Sequence, residues 1–213
     1  MQLNKAVTYI GVLVLILNFS CNKAKESIKS DKKFTALNYS RNILDYKITP
    51  KDSVDKAGLM FSDQGAWFGY GFPDTIANYG GFSGPFLMTQ QNGIWSSTTL
   101  TQLQLTNIEW NAIETNSYNS HLEQIFSSPS VELKQELVFG SGHTALIKST
   151  ITNKSTSNLK VEYSWKNKPL LTNTLTLSSS KNTVKITSSK SSAIGYILFP
   201  TDTEVSSSNS TYT

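Results

Sequence analysis

Few side chains in this sequence are of a kind that does covalent chemistry. It has one cysteine and two histidines, His121 and His143, which stand apart and outside any metal-ligand spacing. No nucleophile–histidine–acid order, phosphate-cradling glycine loop or zinc pattern is present. Acid–base cleavage of a glycosidic bond needs two carboxyl groups across the sugar. Asp63 and Asp74 are the pair to weigh, because they flank the densest aromatic run. Asp74 follows Pro73 and reads as a turn residue, while Asp63 is placed to bond backbone near a strand end. The expectation is a chain with no catalytic residue, no metal and no cofactor.

The aromatic run spans residues 60–97. It holds two of the four tryptophans, Trp67 and Trp95, and more than half of the twelve glycines. Gly65, Gly69 and Gly71 interrupt Trp67, Phe68, Tyr70 and Phe72; Gly80, Gly81 and Gly84 surround Phe82, and Pro85 follows. Glycine permits positive φ and close approach of another surface, and aromatic rings supply large flat contact area. Such a run is either a surface that meets a second domain or a sugar, or the packed interior of an all-β core where strands turn.

The order of these residues narrows the choice. Asp63-Gln64-Gly65-Ala66-Trp67-Phe68-Gly69-Tyr70, then Pro73-Asp74, then Gly80-Gly81-Phe82-Ser83-Gly84-Pro85 resembles the N-terminal domain of bacterial glucosidases of glycoside hydrolase family 63. The likeness continues, more weakly, to about Lys185. Phe68 stands where that family often has His, which removes a polar role at this position. The resemblance implies a β-sandwich, supersandwich-like, that precedes an (α/α)6 barrel. It also implies that the acid and base of an inverting α-glucosidase, or trehalase-like glycosidase, lie in the barrel. No catalytic residue is carried over, so this chain alone is expected to be inactive. Two surface roles remain. In the favoured one, Trp67, Phe68 and Tyr70 pack on the helical domain and shape the active-site rim, with the glycines permitting close approach. In the other, Trp67, Trp95, Tyr70 and Asp74 bind gluco-oligosaccharides on a stand-alone module. A structural remnant without activity is the third possibility.

The start of the chain has its own pattern. Lys5, an apolar run over 9–17 and Ser20 describe a secretory signal, and the run is short for a membrane span. Cys21 falls where a bacterial lipoprotein carries its lipidated residue, and a lone cysteine in an exported protein calls for an explanation other than an internal disulfide. The expected organisation is a lipoprotein signal over 1–20, a polar tether over 21–38 anchored to the membrane by lipid at Cys21, and a β-sandwich over 39–213. An exported outer-membrane lipoprotein facing the periplasm or the cell surface follows. Loss of the first twenty residues removes Lys5 and lowers the formal charge from +4 to +3. No basic stripe interleaved with aromatics points to nucleic acid.

The elements that would position these groups read as strands. Alternation places Val131, Leu133, Leu137 and Phe139 on one face, opposite Glu132, Lys134 and Glu136. Gly140-Ser141-Gly142 turns the chain into a return strand over 144–152. Leu159, Val161, Tyr163 and Trp165 share a face of the next strand. Shorter strands are expected at 59–61, 66–70, 86–89, 94–97, 100–105, 174–177, 183–187 and 193–199, with a hairpin at Asn92-Gly93. The stretches 34–45 and 108–119 are ambiguous. Many period-2 strands with regular turns define an all-β, antiparallel β-sandwich. Its last run, 206–213, is polar, and a relative is expected to continue for several hundred residues.

Overall fold

Period-2 patterning produces strands almost throughout. In a computed structural model, residues 40–213 are described, apart from 64, 89–92 and 209–210. The signal, the tether, Cys21 and the Asn92 turn therefore lie outside the described residues. Fourteen strands follow one another: β1 Phe68–Gly71, β2 Ser83–Leu87, β3 Ile94–Trp95, β4 Ser97–Leu105, β5 Ala112–Ser117, β6 Leu122–Ser127, β7 Val131–Ser141, β8 Thr144–Asn153, β9 Tyr163–Pro169, β10 Leu175–Ser180, β11 Thr183–Ser188, β12 Ser191–Leu198, β13 Ser207–Ser208 and β14 Thr211–Tyr212. One 3-10 turn, Ile76–Asn78, is the helical piece among the described residues.

All strand pairs in the sheets are antiparallel. The sheets are β1-β2-β3, β4-β9, β5-β6-β7-β8, β10-β11-β12 and β13-β14. The four-stranded sheet is the backbone of one layer. Its inner face presents Leu122 and Phe126 of β6 and Val131, Leu133 and Leu137 of β7, all at or below 1% exposure. Against it pack Phe61, Tyr70, Phe72 and Phe82 from the β1–β2 region, and Leu103 and Trp165 from β4 and β9. Apolar faces of two sheets bury each other, which is the β-sandwich arrangement. A further cluster joins Leu177 and Val184 to Phe199 and Tyr212.

The inner face is not wholly apolar. Gln124 and Gln135 are cross-strand neighbours in it, and Gln135 is opposite Ser149 of β8. Gln124 donates its amide to the Gly81 carbonyl at 2.9 Å. Gln102 of β4 donates to the carbonyls of Ala77 and Tyr79 at 3.0 and 2.8 Å. These carboxamides fasten the 74–81 loop to both layers. Buried backbone carbonyls need donors, and the loop, which has no ladder of its own, receives them from side chains.

Two expected strands do not form as read, and one ambiguous stretch becomes a strand. Residues 59–61 give only an isolated bridge, Phe61 with Tyr70. The 108–119 stretch resolves into β5. The strand expected to begin at Leu159 begins at Tyr163, because its partner β4 ends at Leu105, opposite Tyr163, and no pairing remains for 159–161.

Candidate functional site

The aromatic run divides between interior and surface by strand parity. Phe68, Tyr70 and Phe72 alternate in sequence and turn inward; Tyr70 and Phe72 are buried, and Phe68 is half-buried against the edge of Tyr70 and the ring of Phe139. Burial pushes the Tyr70 phenol well above its ordinary pKa. Trp67 has the opposite parity and is 56% exposed. Its backbone N–H donates to Gly142 in the β7–β8 turn, and its carbonyl accepts from Met88. Met88 is itself 36% exposed. Hydrogen bonds thus tie the Trp67 backbone on both sides while its indole stays bare.

Trp95 is placed differently from a sugar-stacking ring. It is 1% exposed, meets the Phe86 ring edge-on at 5.1 Å, and donates its indole N–H to the Asp55 carbonyl at 2.7 Å. Neither Trp95 nor Tyr70 offers a face to solvent, so of the four rings and carboxylates expected to touch a saccharide, Trp67 and Asp74 remain at the surface. Asp74 is an exposed turn residue whose backbone N–H donates to Thr49 Oγ1 at 3.0 Å. Asp63 is also exposed, and its carbonyl accepts from Ala66 N–H.

The glycines serve the domain itself. A Cβ on Gly80 would stand 2.2 Å from the Leu103 carbonyl oxygen, and one on Gly81 would stand 2.5 Å from that of Thr101. Gly80 also has φ +93°, a region that other residues rarely adopt. The close approach that the sequence suggested for a partner is made, at these two positions, to β4 of the same domain.

One histidine-and-carboxylate group comes together among the described residues. His121, Glu123 and Glu136 have ligand-type atoms within 4.8 Å of one another, although no sequence spacing signals it. Glu123 and Glu136 are directly opposed on β6 and β7, where like charges repel. Lys134 lies between them, at 2.8 Å from Glu123 and 2.9 Å from Glu136. Asn116 donates to Glu123 at 3.1 Å, and His121 stacks on Tyr118 with ring centroids 4.5 Å apart. The chain supplies its own cation here, and the arrangement is an ion-pair network across two strands. Burial by itself would raise the Glu123 pKa; the Lys134 ammonium and the Asn116 amide outweigh it and hold the carboxyl below its usual value. A depressed carboxyl contributes stability above the unfolded-state value near 4.5, and that contribution is lost as pH falls through the lower folded value. Thermal unfolding of wild type is therefore expected to fall below pH about 4.5, and Glu123→Gln is expected to flatten that acid limb while lowering the melting temperature at pH 7.

Fold and site together define an all-β, β-sandwich domain with an exposed indole just before β1. The comparisons give the family: the model for the N-terminal domain of glucosidase YgjK matches residues 49–192, and the chain belongs to that family, which is of glycoside hydrolase family 63 type. The chain gives no match to a curated protein.

Proposed function

We propose that this chain is the non-catalytic N-terminal domain of an exported, lipid-anchored α-glucosidase-type enzyme, and that it packs on a helical catalytic barrel and shapes the rim of the active site. Membership of the family over 49–192 supports the association with a glucosidase. The single observation that carries the packing role is Trp67, at the bend before β1, whose backbone is hydrogen-bonded on both sides and whose indole is bare while its aromatic neighbours turn inward. An exposed aromatic on a fixed backbone is what interfaces use as an anchor.

The test joins this chain to the catalytic polypeptide. Trp67→Ala is expected to change unfolding free energy by no more than about 0.5 kcal/mol, as for a surface position. It should weaken association, or lower glucosidase activity, by roughly tenfold, the scale of a truncated interface anchor. Unchanged association and activity would remove the packing role. The anchor is tested separately: Cys21→Ser is expected to move the protein from the membrane fraction to the soluble fraction and to abolish incorporation of labelled fatty acid. Retention at the membrane without label would rule out lipidation at Cys21.

A further inference from the structure

Strands β8, β9 and β12 each have a hydrogen-bonded neighbour on one side only among the described residues. Together they border a groove of about 970 Å³. Its walls carry Ile147 of β8, Trp165 of β9 and Ile194 and Tyr196 of β12. Ile194 and Tyr196 are more than half exposed, and Leu198 is 74% exposed. Single exposed apolar residues need no explanation, but a contiguous set on facing strands marks a surface that something covers.

The groove also contains an unmet polar group. Gln135 lines it and is 1% exposed. Its amide donates to Ser149 Oγ at 3.2 Å, while its Oε1 has no hydrogen-bond partner among the described residues.

We propose that this groove receives one extended β-strand of the glucosidase's catalytic polypeptide. The inference rests on the reading under Proposed function. An extended strand supplies what the groove lacks: backbone donors and acceptors for an open edge, and apolar side chains at every second position for Ile147 and Ile194. Charge narrows its sequence. His143 and Lys148 line the groove and no Asp or Glu does, so a carboxylate on the strand near Lys148 would be complementary. A second copy pairing β8 on β8 is the competing occupant. A sugar fits poorly, since the bare aliphatic side chains of Ile194 and Leu198 offer it no hydrogen bonds.

The experiment follows amide hydrogen exchange in the full chain, alone and co-expressed with the catalytic polypeptide. In the complex, the amides of β8 and β12 should exchange at least tenfold more slowly. A thiol at Ser149→Cys should cross-link to a segment of the catalytic polypeptide with alternating apolar residues. Ile194→Asp should weaken the complex at least tenfold; Leu198→Asp, at a still more exposed position, is the second variant should the first disturb folding. A complex that forms through Trp67 while β8 and β12 exchange as before would overturn this inference and leave the proposed function standing. Cross-links to helical segments would also overturn it. Protection that rises with the concentration of the chain alone would assign the groove to a second copy. Absence of any complex would overturn both readings.

Discussion

Trp95→Ala is expected to destabilise the domain by about 3–5 kcal/mol, the range for removing a large aromatic from a core. The ring is 1% exposed, fills the space between Ile48 and Phe86, and holds the Asp55 carbonyl through its indole N–H. Its own backbone N–H donates to Ser53 at 2.8 Å, so the ring and its strand together tie down the 53–55 loop. Trp95→Phe separates the two contributions. It keeps much of the packing and loses the hydrogen bond, and a loss of roughly 1–3 kcal/mol is expected from an orphaned carbonyl. Urea denaturation measures both. A change below about 1 kcal/mol for the alanine variant would mean that the ring is not part of the core, and would return it to the surface role expected from sequence.

Gly80→Ala should be nearly as damaging, by about 2–5 kcal/mol, because two effects add. The backbone has φ +93°, which strains any other residue by about 1–3 kcal/mol. The new methyl would also stand 2.2 Å from the Leu103 carbonyl oxygen, and crowding a packed site costs a further 1–3 kcal/mol or so. Moving the loop away would break the hydrogen bond from Leu103 N–H to the Gly80 carbonyl, now 2.7 Å. Gly65→Ala is the control. It has φ +82° but nothing within 4 Å of the added Cβ, so only the backbone strain applies. Equal losses for the two variants would show that contact with β4 contributes nothing.

Much of the architecture is legible in the sequence, and the reasons for the failures are physical. Strands β7 and β8 follow the alternation from Val131 onward, because one face of each is apolar and the other charged. Parity says which residues share a face, but not which face is wet when both sides carry rings. That is why Trp95 and Tyr70 read as binders. The signal that separates Trp67 was nevertheless present: Phe68, Tyr70 and Phe72 have one parity, and Trp67 has the other. Gln135 went unread for the opposite reason. A polar residue between Leu133 and Leu137 looks like noise in an apolar stripe, and only cross-strand placement beside Gln124 and Ser149 gives it meaning. The approach of His121 to Glu136 depends on pairing of β6 with β7, which no local spacing encodes. The Gly80-Gly81 pair does mark a close approach, but to β4 of the same domain, at Leu103 and Thr101.

The buried carboxamides have a consequence for how faithfully the sheet assembles. A slip of one residue between β6 and β7 would be rejected at once, since it turns every apolar side chain to water. A slip of two preserves inside and outside, and a purely aliphatic pair of strands would have little to oppose it. Here a slip that moved β6 would carry Gln124 away from the Gly81 carbonyl it donates to, and one that moved β7 would carry Gln135 away from Ser149, stranding an amide in hydrocarbon. The glutamines thus act as a key that fits one alignment, so misaligned hairpins are discouraged even where hydrophobicity alone is indifferent.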